Sequence, residues 1–215
     1  VHPLFAVTLG DLEQRLQATR PKVENDIWDR AFNVSSRLRL ADVFAENLMS
    51  IRSLAQKGYG VVHVYASSGV FGPRTAAVST LSSSLSPETL VSADLGIPIQ
   101  FSVRGFGGPP APSATQPQQR RGYPSSLMGA IAFTRQSLYD AMRYGRWVRR
   151  YQADPSGLPR PPYDPDWEAM EGLLRRDLFA IFDNLDELSA LQAMEIVQEF
   201  HLKPLYAFRR DAGYV

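Results

Sequence analysis

The residues of this chain that could do chemistry are three histidines, one aspartate at a strand end, and an arginine–glutamine pair. His2, His63 and His201 lie far apart. His63 alternates with Val62 and Val64, so it shares a strand face with Val61 and Tyr65, where it would line an interior or bond a neighbouring carbonyl. His201 closes an amphipathic stretch, and a cation there suits a helix C-terminus. His2 stands in no patterned segment. Asp183 directly follows the apolar run 178–182 and reads either as a carboxylate at a sheet mouth or as a loop or cap residue before a helix over 186–200. One carboxylate without histidine partners makes a poor zinc site. Arg135 and Gln136 sit in mid-helix. Arg135 would orient a loop or a substrate carboxylate through its bidentate fork, or form a structural ion pair with Asp140 or a loop carbonyl. Ser67-Ser68-Gly69 lacks nucleophile-elbow spacing and a phosphate-loop lysine, and reads as a turn. Gly105-Phe106-Gly107-Gly108 is followed by proline rather than a helix, so it fails as a dinucleotide fingerprint.

The elements that must carry these residues follow from periodicity. Leu12 and Leu16 suggest a short helix ended by Pro21, within an irregular N-terminal segment over residues 1–40. Val43, Phe44, Leu48, Ile51 and Leu54 share one face of a helix over 41–57, which Gly58 and Gly60 end. Residues 61–65 read as a buried β-branched strand, 67–73 as a loop, and 75–81 and 97–103 as further strands. Pro98 puts the last of these at an edge or marks its start. Residues 105–122 are rich in Gly, Pro and Gln with little to bury, which predicts a long, mobile surface loop.

A long helix is predicted over 124–151, with Pro124 at its first position. Leu127, Ile131, Leu138, Met142 and Tyr151 form its apolar stripe, and Arg143, Arg146, Arg149 and Arg150 lie off it. After a Pro-rich connector, Asp164 caps a helix that starts at Pro165 and runs to about Arg175. Residues 178–182, 186–200 and 203–208 then read as strand, helix and strand. Leu188, Leu191, Met194, Val197 and Phe200 are expected inward on that helix. This spacing is a right-handed βαβ crossover with parallel strands, and the chain is therefore α/β.

The 215 residues suffice for one sizeable core. A net charge of +1 gives no argument for nucleic acid or an acidic membrane surface. No apolar run reaches the roughly 18–20 residues that span a bilayer. With no cysteine, a thiolate metal site, a disulfide framework and a cysteine nucleophile are excluded. No signal peptide is visible and the compartment stays open, a periplasmic or secreted one being preferred to the cytoplasm.

Three stretches, in order, resemble the metal-dependent amidohydrolases of the imidazolonepropionase-like branch. The first runs from Ala41-Asp42-Val43-Phe44 through Gly60-Val61-Val62-His63-Val64-Tyr65 to Ser68-Gly69-Val70-Phe71-Gly72 and Ala77-Val78. The second holds Pro124-Ser125-Ser126-Leu127-Met128-Gly129, then Arg135-Gln136 and Tyr139-Asp140-Ala141. The third is 178–183 followed by Leu188-Ser189-Ala190-Leu191. The resemblance implies a (β/α)₈ barrel with its active site at the C-terminal strand ends. It also implies one or two divalent metals, usually zinc, that activate water to hydrolyse amide or cyclic amide bonds. In the family the end of the strand matching 178–182 often carries a glutamate that could reach metal, which makes Asp183 the metal-ligand candidate. The family's first strand ends in a His-any-His pair that this chain lacks, and the strands are too few to close eight. The expectation is therefore a partial TIM-type barrel of parallel strands over 41–215. Metal would be held only by residues outside this chain. The domain would serve as a structural or interaction subunit, or as part of a longer hydrolase, with a protein partner or the rest of the polypeptide covering its open strand edges. A small-molecule binding module using the loop-lined barrel mouth is the third reading.

Overall fold

The computed structural model describes residues 4–6, 33–43, 54–66, 69–80, 89–101, 123–124 and 126–208. A four-stranded sheet holds β1 (Leu4–Ala6), β2 (Val61–Tyr65), β3 (Ala76–Ser79) and β4 (Leu90–Ser92), in that order. β1 and β2 are parallel, but β3 runs antiparallel to both β2 and β4. A second sheet contains β5 (Gly96–Ile99), β6 (Phe179–Leu185) and β7 (Pro204–Phe208), all parallel. The expected run of parallel strands is thus corrected for the first half of the chain. β3 runs back along β2, and a connection as short as the one between them cannot return the chain to make a parallel pair. The described strands form two sheets rather than a barrel.

The segment 69–75 joins the sheets. Gly72 N–H donates to the Pro98 carbonyl (2.9 Å), Thr75 N–H to that of Gly96 (2.8 Å), and Gln100 N–H to that of Val70 (2.9 Å). Pro98 lies on the edge strand of the second sheet, as its missing N–H requires. Gly96 is needed there, because a Cβ would meet the Phe179 carbonyl at 2.5 Å.

Among the described residues four helices accompany the sheets: α1 (Leu40–Val43), α2 (Leu127–Ala153), α3 (Pro165–Leu174) and α4 (Glu187–Phe200). α2 is capped by Ser126, whose hydroxyl accepts from Gly129 N–H at 3.0 Å, so Pro124 lies before the helix and not at its first position. Its stripe is as expected, with Ile131 and Leu138 buried and Arg143, Arg146, Arg149 and Arg150 exposed. Asp164 caps α3, with Pro165 at its first position. On α4 the expectation holds for Phe200, which is buried, and for Val197, which packs against the core, but Leu188, Leu191 and Met194 are exposed and Ser189, Ala193 and Ile196 are buried in their place. The core forms where Ile97, Ile99, Ala180 and Phe182 of the parallel sheet meet Ile131, Leu138, Met170, Leu173 and Ile196 of the three long helices. Segment 33–40 enters the molecule too. Val34 and Leu40 are fully buried, and Asp166 of α3 accepts from both the backbone and the guanidinium of Arg37, each at 2.8 Å. Residues 44–53 of the expected helix over 41–57, the expected short helix near Leu12 and the expected loop over 105–122 lie outside the described residues.

Candidate functional site

β6 alternates in the parallel sheet, so Ala180 and Phe182 face the helices while Ile181 and Asp183 face the other way. Asp183 thus emerges toward the C-terminal end of its strand. Gln100 stands one step past the last pair of β5 with β6, Ile99 opposite Phe182, and so lies beside Asp183. The Gln100 amide donates to Asp183 Oδ2 at 2.8 Å. Tyr65, the last residue of β2, donates its hydroxyl to Asp183 Oδ1 at 3.0 Å. One carboxylate therefore spans three strand ends drawn from both sheets. Tyr65 is buried, and burial followed by the negative charge of Asp183 raises its pKa above the ordinary phenol value. The phenol is a fixed donor and has no basic character at neutral pH.

His63 lies two residues earlier on β2, its ring centroid 6.2 Å from that of Tyr65. Its Nε2 is 2.7 Å from the Thr75 hydroxyl, which lies 3.2 Å from the Gly96 carbonyl. Burial pushes the imidazole pKa down to about 4, so the ring is neutral at physiological pH. His63 belongs to the joint between the sheets.

His201 lies elsewhere, as the left-handed C-cap of α4 (φ 52°), and His2 lies outside the described residues. The structure places Arg135 against α4, where its Nε donates to Glu199 at 2.7 Å and a terminal nitrogen reaches Glu195 at 3.4 Å. Gln136 next to it is exposed. Ser67 and Ser68 lie outside the described residues.

The donor set decides what Asp183 can hold. Each of its oxygens already accepts a hydrogen bond, and among the described residues no three His, Cys, Asp or Glu side chains converge on a point. A zinc site needs such convergence, so these residues do not fit the metal that the sequence resemblance implies. The sequence singled out Asp183 as a metal-ligand candidate and did not name Tyr65 or Gln100 as its partners. Their signal was present: Tyr65 shares the face of His63, and Gln100 interrupts an otherwise apolar strand beside it.

No family model matches this chain, and no curated protein matches it. Its fold is similar to the crystal structure of an amidohydrolase from Thermotoga maritima MSB8, with a TM-score of 0.65 over 85% of this chain at 21% identity. The match covers 44% of that protein, so the chain spans less than half its length. The class so defined is a mixed α/β protein whose fold is similar to part of that amidohydrolase.

Proposed function

We propose that this chain is an amidohydrolase-like domain acting as a structural or interaction subunit, without hydrolytic activity of its own. The observation that supports it is Asp183: the carboxylate at the strand end is occupied in tying Tyr65 to Gln100 across two sheets. Asp183→Ala leaves a buried phenol and an amide without their acceptor, a loss of about 1–3 kcal/mol. Zinc titration by calorimetry, an amide and cyclic-amide hydrolysis assay, and urea melts of parent and Asp183→Ala test the reading together. The expected result is no turnover above a zinc-only blank, with a lower urea midpoint for the variant. Turnover that disappears in Asp183→Ala while the midpoint holds would overturn it.

A second reading is that the chain forms part of an active metal-dependent hydrolase whose ligands, for zinc or another divalent ion, lie beyond the described residues. β7 favours it. Among the described residues it is the sheet edge, yet Leu205, Tyr206, Ala207 and Phe208 are apolar on both faces, as in an interior parallel strand. A further strand of the same polypeptide, or of a partner, would cover that edge.

A further inference from the structure

The C-terminal halves of α2, α3 and α4 line a half-open cleft of about 340 Å³. α3 leads into the start of β6 and α4 into the start of β7, so the cleft lies at the opposite end of the sheet from Asp183. Its apolar wall is Met142, Leu174 and Phe200. Its polar groups are Arg146, Arg149 and Arg175 around Glu171, with the imidazole of His201 also on the lining. Gly145 makes room for that glutamate, since a Cβ there would overlap the Glu171 carboxylate.

The charges do not cancel. Arg149 pairs with Glu171. Arg175 pairs with Asp177 at 2.9 Å and reaches Glu171 at 3.8 Å. Two carboxylates thus balance two guanidiniums. Arg146 is left over: among the described residues its hydrogen bond goes to the thioether of Met142, at 3.1 Å, and a thioether is a poor acceptor. One uncompensated guanidinium therefore stands beside an apolar wall. Helix C-termini would oppose an anion through their free carbonyls, but several of these are taken. Leu202 N–H bonds Val197 at 3.1 Å, Arg176 N–H bonds Leu173 at 3.0 Å, and Asp177 N–H bonds Gly172 at 3.0 Å.

From this geometry we infer a binding site for a small organic monoanion, a carboxylate on an apolar body, with Arg146 as the bidentate anchor and Met142, Leu174 and Phe200 against the body. The unpaired Arg146 guanidinium matches one carboxylate. The planar fork of arginine suits that group, and the wall suits what is attached to it.

The test is a set of NMR titrations of the full chain at low ionic strength with sodium benzoate, benzyl alcohol and inorganic phosphate, repeated on Arg146→Gln. Arg146 is exposed, so the variant keeps the fold, which its circular dichroism melt checks. The expected result is saturable benzoate binding in the millimolar range, with shifts at Met142 and Phe200, weakened about tenfold or more in Arg146→Gln. Benzyl alcohol and phosphate should each bind at least about tenfold more weakly than benzoate, since each offers one half of the recognition. Three results would overturn the site: no saturation by benzoate, equal binding by the variant, or phosphate or benzyl alcohol equal to benzoate.

Discussion

At the scale of single residues, the consequential group is a histidine that carries no positive charge. His63 is buried against Thr75, and its pKa falls from the ordinary 6.5 to about 4. The unfolded chain therefore binds a proton at His63 as pH drops below 6.5, while the folded chain resists until about 4. Stability from this site is complete above pH 6.5 and is lost as pH falls toward 4, a difference of roughly 3 kcal/mol. Urea midpoints measured from pH 7 to pH 4 should fall steeply in the parent and more shallowly in His63→Gln, whose amide can still bond Thr75. Equal slopes would mean that His63 does not experience the buried environment described. The sequence showed which strand face His63 occupies. It could not show the Thr75 partner, which the turn back along β2 brings into place.

At the scale of elements, α4 shows how an apolar pattern can mislead. Leu188, Leu191 and Met194 repeat every three residues, and each such step drifts about 60° around a helix of 3.6 residues per turn. Ser189, Ala193, Ile196 and Phe200 follow four, three and four, which keeps one face. The cap fixes the choice. Asp186 accepts from Ser189 N–H at 2.8 Å, and Ser189 Oγ accepts from Asp186 N–H at 2.9 Å, a reciprocal box that accompanies the burial of Ser189. Leu191→Glu should change stability by no more than about 0.5 kcal/mol, and Ile196→Ala should cost about 2–5 kcal/mol. Denaturant curves on the two variants decide between the faces, because the reverse ranking would return Leu191 to the core. The starts of α3 and α4 and the stripe of α2 were legible because caps and stripes are local signals. β1 and β4 were not, since three residues are too few to show a period.

At the scale of the whole molecule, the two sheets differ in what they leave open. The mixed sheet is held to the parallel one by the hydrogen bonds of 69–75 and by the Phe71–Ile99 bridge, so β5 is partly covered on its outer side. β7 has no such cover among the described residues, and Phe208 at its end is 59% exposed. The parallel β6–β7 pair was legible as a strand–helix–strand crossover, but the pairing of the other strands was beyond the sequence, because their partners are set by connections distant in the chain. The composition of β7 still shows: an apolar strand without charged residues is an edge prone to pair. Both proposed readings require something to pair there, a partner in one and further polypeptide in the other. The isolated chain should therefore self-associate with rising concentration, seen by sedimentation velocity. Phe208→Lys, which places a charge at the exposed end of β7, should shift that distribution toward monomer with little loss of thermal stability, since the side chain it replaces is mostly in water. A chain that stays monomeric at every concentration, with Phe208→Lys indistinguishable from it, would mean that residues of the chain itself already close the edge.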